Sequence, residues 1–344
     1  MLNGIMKNKF SVKQFIRVAT YFLLLASCCF SSCSGDTTID DNNNTTTTNN
    51  NTPPLPPAPK FNEDSAYSFI KAQVDFGPRV PGTNSHAKCA EYFVSKFKSL
   101  GWEVVVQNGR VTTYDGKKFN LKNIIASYKP EIANRILLLA HWDTRPFADR
   151  DTFNTDKPID GADDGASGAG VLLEIARQLS ISKPEVGIDI LLDDIEDYGK
   201  ENDNGENTWC LGTQYWAKNP HKPGYVAQYG IVLDMVGAKN ATFPREGRSR
   251  EYAPYLVKKI WNKAAHLGYS NYFIFEDVRG ITDDHHYIIS YANIPCVDIV
   301  NMNHVTGDFG PTHHRHSDNM SIIDKNTLKA VGQTVLEVLW EEQK

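Results

Sequence analysis

The chain has 344 residues, 41% of them hydrophobic, with 41 acidic side chains against 36 basic ones and a net charge of −5. That length holds one large domain with room for flanking segments, and the mild acidity without a basic stripe argues against a nucleic-acid partner. Of the six cysteines, Cys89, Cys210 and Cys296 fall in the globular part, where their spacing fits neither a metal motif nor a disulfide framework.

At the N-terminus Lys7, Lys9, Lys13 and Arg17 precede the apolar stretch Val18–Phe30. A basic n-region and an apolar stretch too short to span a bilayer make a targeting signal. With Leu25-Ala26-Ser27-Cys28 and Ser32-Cys33-Ser34-Gly35-Asp36 behind it, the segment resembles a bacterial lipoprotein signal, and Cys28 and Cys33 are both candidates for the lipid-modified residue. The location expected is extracytoplasmic, periplasm or cell surface, with contact to the membrane only through the lipid anchor. Residues 1–33 are thus read as signal and 34–60, Asn/Thr-rich and then Pro-rich, as a disordered tether. A folded domain is expected over 61–344.

Within it, helices are expected at Glu63–Phe76 and Asn84–Leu100, with Gly101 as a stop signal. Short apolar runs predict strands at Glu103–Gln107, Asn123–Tyr128, Ile136–Ala140, Gly187–Leu192, Gly230–Asp234 and Cys296–Val300. Further helices are expected at Gly168–Leu179, Tyr252–His266 and Asp324–Glu341. Strands interleaved with amphipathic helices predict an α/β fold, a single domain whose mostly parallel twisted sheet carries helices on both faces.

The chemistry gathers where strands end. Ile136–Ala140 runs into His141-Trp142-Asp143, and Gly161-Ala162-Asp163-Asp164-Gly165 precedes the third helix. In open α/β sheets ligands sit beyond strand carboxyl ends and at helix N-termini. Asp163 and Asp164 fit either a metal site or simple helix caps. Ile188–Leu192 ends in Asp193-Asp194-Ile195-Glu196-Asp197, a run that repels itself unless it is solvated or binds a cation. Asp234 ends the next strand, and the loops Arg279–His286 and Thr312–Asn319 add more acids and histidines.

His141-Trp142-Asp143, Gly161-Ala162-Asp163-Asp164, Glu196-Asp197, Asp234 and His314 resemble, in order and spacing, the zinc-dependent aminopeptidase family. Leu233-Asp234-Met235-Val236-Gly237-Ala238 and Gly280-Ile281-Thr282-Asp283-Asp284-His285 are similar to segments of its single-zinc branch, the glutaminyl cyclases, of Bacteroidetes type. The resemblance covers nearly all of 61–344 and implies a zinc aminopeptidase-like α/β/α sandwich. It implies one Zn²⁺ per chain held by Asp164, Asp197 and His314. Asp197 departs from the family's Glu at that place, and His313 and His316 stand as rivals to His314. It also implies Glu196, Asp234 and Asp283 as catalytic acids, with His141 and Asp143 in supporting places.

The implied reaction converts the N-terminal Gln of peptides and proteins to pyroglutamate with release of ammonia. An aromatic wall for so small a substrate is sought at Trp209, Trp142 and His313. The implied protein acts as a monomer. Two other classes stay open. A two-zinc aminopeptidase would add His141 and Asp234 as ligands, and a non-enzymatic zinc-binding lipoprotein would have no use for Glu196. The polar segment Tyr198–Thr208 has the length of an active-site loop and matches no defined calcium loop.

Overall fold

The protein is described here by a computed structural model covering residues 56–201 and 207–343. The signal segment, Cys28, Cys33, most of the tether and residues 202–206 of the polar loop lie outside the described residues. The folded unit begins earlier than Phe61. The carbonyls of Pro56 and Pro59 accept hydrogen bonds from Trp340 and Gln333, and Phe61 is buried.

Two helices come first, α1 (Glu63–Val74) and α2 (Asn84–Ser99), capped by the side chains of Asn62 and Thr83. A hairpin follows, β1 (Glu103–Thr112) and β2 (Lys118–Tyr128), paired over its whole length. It is longer than predicted because its outer half is largely solvated and carries no apolar run. Next come β3 (Arg135–His141), α3 (Ala166–Ser182), β4 (Gly187–Asp193), α4 (Leu211–Lys218) and β5 (Gly230–Asp234). The last third holds β6 (Phe243–Arg245), α5 (Gly247–Tyr252), α6 (Pro254–His266), β7 (Phe273–Asp277), α7 (Asp284–Ala292), β8 (Cys296–Val300) and α8 (Lys325–Trp340). The helix expected from Tyr252 is divided at Ala253, where Pro254 starts α6 as an N1 residue lacking a donor.

The main sheet runs β1-β2-β4-β3-β5-β8, with β4, β3, β5 and β8 parallel and the hairpin antiparallel at one edge. Every residue of β3, β4, β5 and β8 is buried, as expected for parallel strands covered on both faces. Alternate side chains of β3 serve different cores. Ile136, Leu138 and Ala140 join the core built with α1, α2, α3, α6 and α8, while Leu137 and Leu139 pack with Trp216 of α4 and Ile288 of α7. Helices on both faces were expected, but the two that form this second layer, α4 and α7, were not placed in advance. One helix is short and the other begins with Asp284-His285-His286, a polar first turn that hides its apolar face.

Small residues bring α3 onto the strand ends. A Cβ on Gly168 would lie 2.1 Å from the Leu233 carbonyl, so only glycine lets the helix approach β5 so closely. Gly165, with φ +94°, makes the turn that turns the chain from Asp164 into the helix.

Candidate active site and metal centre

His141, Asp193 and Asp234 are the last residues of β3, β4 and β5, so the parallel strands deliver them to one edge of the sheet. The loops beyond those strands, together with the start of α7 and the 309–314 segment, enclose a cavity of about 270 Å³. Asp164, Glu196, Asp197, Trp209, Asp234, Asp283, His313 and His314 all line it. Six carboxylates face it in all, counting Glu201, against Arg150 and Arg279. Such a cleft attracts cations.

Asp164 is held in place through its backbone. The Asp318 carboxylate accepts the amides of Asp163 and Asp164 at 2.7 and 3.1 Å. Asp163 turns away and accepts the Gly237 amide at 2.7 Å. The helix-cap reading of the two aspartates fails, because Gly165 occupies the cap position of α3 and no side chain caps it. Asp164 Oδ1 lies 3.1 Å from His141 Nε2 and its Oδ2 lies 4.0 Å from His313 Nε2. Burial disfavours its charge, but His141, with His313 and His314 behind it, holds the Asp164 pKa below its ordinary value.

The acidic run at the end of β4 resolves into three different fates. Asp193 is buried beside Asp284, and Asp194 pairs with His86 Nε2 at 2.7 Å. Glu196 and Asp197 enter the cleft, their amides both directed at the Asp143 carboxylate. Asp197 Oδ1 stands 3.1 Å from His314 Nε2. Burial, then Asp164, raises the Asp197 pKa to about 6. Glu196 Oε1 accepts the Cys210 thiol at 3.2 Å, and burial holds its carboxyl well above its ordinary value, with His141 opposing. Burial likewise raises Asp234, whose Oδ1 is 3.3 Å from His141 Nε2. Perturbed carboxyls gathered in a cleft mark a functional site.

Backbone strain concentrates here too. Ile195, Cys210, Met235 and His314 all have positive φ, between 49° and 57°, which costs non-glycine residues energy and is tolerated where surrounding contacts enforce it. Ile195 precedes Glu196, Met235 follows Asp234, and His314 is itself a cleft residue.

A zinc ion fits the donors present. The ligand atoms of Asp164, His313 and His314 lie within 4.8 Å of one another, as do those of His141, Asp164 and Asp234. Among the described residues, Asp164 Oδ2 and Asp197 Oδ2 are buried with no hydrogen-bond partner, a costly state that a cation relieves. Carboxylate and imidazole donors both suit zinc.

One expected site residue is corrected. Trp142 does not line the cleft; it is fully buried, stacked on His86 at 4.4 Å and edge-on to Phe93. Successive residues at the end of β3 point to opposite faces, so a chain that aims His141 at the cleft aims Trp142 into the core. Trp209 does reach the wall, stacked on His314 at 5.8 Å. His316 is directed to the carbonyl of Asn154 at 3.2 Å and is not among the cleft's lining residues.

Several residues of the site carried no signal in the sequence. Arg145 is buried and donates to the carbonyls of Asp197 and Gly199 at 2.9 and 3.0 Å, while Phe309 backs His313 at 4.5 Å. Cys210 was visible only as a cysteine without a pattern. None of these belongs to a spaced motif, and only folding brings them to the strand ends.

The profile of peptidase family M28 matches residues 123–339. A Zn-dependent exopeptidase from Parabacteroides distasonis is 50% identical, with TM-score 0.81, over 83% of this chain and 100% of that one. The glutaminyl cyclase of Bacteroides thetaiotaomicron is 51% identical, also with TM-score 0.81, over 83% of this chain and 100% of its own. The glutaminyl-peptide cyclotransferase of Drosophila melanogaster is 24% identical over 73% of each chain. With the cleft, its donors and its strand-end acids in the places described, the chain belongs to peptidase family M28, in the company of the bacterial glutaminyl cyclases.

Proposed function

We propose that this zinc-dependent enzyme is a glutaminyl-peptide cyclotransferase, which cyclises the N-terminal Gln of peptides and proteins and releases ammonia. One observation carries the reading. A small cleft sets Glu196, Asp234 and Asp283 beside the donors Asp164, Asp197 and His314, in a chain about half identical to a glutaminyl cyclase over that enzyme's whole length.

One zinc per chain would be held by Asp164, Asp197 and His314. When bound, it supplies a Lewis acid that polarises the γ-carbonyl of the substrate glutamine. The residues of the chain do the rest. Asp234 and Asp283 hold the substrate's α-amino group, which reacts as the neutral free amine. Glu196 takes a proton from that amine as general base, the amine nitrogen bonds to the γ-carbon, and the bond from that carbon to the amide nitrogen breaks. Glu196 returns the proton to the departing nitrogen, which leaves as ammonia, so a single carboxyl acts first as base and then as acid. A carboxyl raised by burial is suited to both halves of that task. Trp209 and His313 would wall the glutamine side chain.

The test is ammonia release from a Gln-initiated peptide whose chain stays intact, with about one zinc per protein molecule, the number expected of a single four-coordinate site. Release of a free N-terminal residue, with two zinc ions needed, would move the assignment to aminopeptidase. That second reading has its own support in the grouping of His141, Asp164 and Asp234.

We propose further that the mature chain is a monomer, which light scattering checks, and that it is lipid-anchored outside the cytoplasm through Cys28 or Cys33. The support is the basic and apolar N-terminal sequence. Replacing both cysteines with Ala should free the protein from membranes, and unchanged association would end the anchor reading.

A further inference from the structure

The ring of His314 has two nitrogens with different surroundings. Nε2 faces Asp197 at 3.1 Å. Nδ1 is buried without a well-aligned hydrogen bond, but two carboxylates stand near it, Asp149 Oδ1 at 3.3 Å and Glu201 Oε1 at 3.6 Å. The backbone does not favour this residue's pose, since its φ is 57°. Something outside the residue must hold the ring.

The two carboxylates are not equivalent. Asp149 is gripped by the buried guanidinium of Arg145, which donates from Nε at 3.1 Å to Oδ1 and from Nη2 to Oδ2. The remaining Arg145 nitrogen donates to the carbonyls of Asp197 and Gly199, and its guanidinium lies 4.7 Å from the Trp209 ring centre. Glu201 is more exposed, and it accepts from Nη2 of the half-buried Arg150 at 3.2 Å. The segment carrying Asp149 is also tied to the histidine loop through the backbone. The Arg150 amide donates to the His314 carbonyl at 3.3 Å, and Asp151 Oδ2 accepts the His316 amide at 2.7 Å.

We propose that Asp149 is a positioning residue for the metal centre: it accepts the Nδ1 proton of His314, fixes the tautomer, and presents Nε2 to zinc. Arg145 then links that hold to the loop bearing Asp197, so both donors are set by one buried cation. Metal-binding histidines commonly give their second ring proton to a carboxylate, which orients the ring and raises its basicity. The inference rests on His314 being a zinc ligand, as in the function proposed above.

The experiment measures zinc affinity of the purified full chain by chelator competition, alongside the melting temperature of the zinc-free form. Asp149→Ala should weaken zinc binding by on the order of 10- to 100-fold, the cost typical of losing such an outer carboxylate. Asp149→Asn should lose less, because its amide oxygen still accepts the Nδ1 proton; it also carries the test if the Ala variant does not fold. Excess zinc should restore turnover to Asp149→Ala. A purely structural role would lower the melting temperature and leave zinc affinity alone, which overturns the proposal. So does a loss confined to Glu201→Ala. If instead His314→Ala binds zinc as tightly as the parent, the ligand assignment itself has failed, and the positioning role falls with it.

Discussion

The two ends of the parallel strands bury carboxylates in opposite ways. At the amino end, Asp189 of β4 is fully buried and fully partnered. Arg135 donates to both its oxygens, from Nε at 2.5 Å and Nη2 at 2.8 Å, and Ser127 and Tyr225 donate at 2.5 and 3.0 Å. Burial works against its charge, yet those bonds hold its pKa below the ordinary value. At the carboxyl end, Asp164 and Asp197 each keep an oxygen without a hydrogen-bond partner among the described residues, and Asp193 has the acid Asp284 for its neighbour. A buried ion pair with all its bonds made is scaffold. Carboxylates left short of partners are costly to the fold, and they are what gives this edge its chemistry.

The sharpest way to break the comparison is to remove a donor at the active end. His314→Ala should lose both zinc and turnover, because two carboxylate donors alone bind zinc poorly, whereas His316→Ala should keep both. Metal content by atomic emission, with ammonia release, decides it; the reverse pattern would transfer the role to His316.

Next in size is Glu196→Gln, which preserves shape and removes the proton carrier. Turnover should fall by on the order of 10²–10⁴-fold while zinc stays bound. Near-normal ammonia release from a zinc-loaded variant would remove Glu196 from the mechanism.

The scaffold end should answer differently. Arg135→Met strands Asp189 without its cation and should cost about 3–5 kcal/mol of stability, read by urea unfolding, with the zinc content of the folded fraction unchanged. Coupled loss of zinc would mean the two ends are not independent.

The smallest effect is expected from Ser127→Ala, which takes one donor from Asp189 and leaves Arg135 and Tyr225. A hydrogen bond to a charged group contributes about 1.5–3 kcal/mol, and the lower part of that range is expected here because the remaining donors are strong. An effect as large as that of Arg135→Met would show that the serine, rather than the arginine, governs this end.

How much of this was readable in advance depends on the kind of signal. The parallel strands were, because a strand buried on both faces must be a continuous apolar run, and β8 fell at Cys296–Val300 as expected. The resemblance to the zinc aminopeptidases, carried by strand-end and spaced acidic motifs, pointed to Asp164, Glu196, Asp197, Asp234, Asp283, His313 and His314, and all of them line the cleft. Trp142 was misplaced because sequence adjacency to His141 does not say which face of the sheet a side chain takes. Helices α4 and α7 were missed because a short length and a polar first turn weaken the periodic signal. Arg145 and Asp149 have no motif at all, and the motif holding Asp318 does not say which amides it would hold. Their role depends on contacts between residues far apart in the chain, such as Asp318 with the amides of Asp163 and Asp164. The sequence by itself determined which residue types reach the strand ends, because hydrophobic pattern and local spacing are properties of short segments. Only the tertiary structure decided which of those acids are paired into scaffold and which stay open to chemistry, because pairing is set by distance and burial between segments that the linear order does not join.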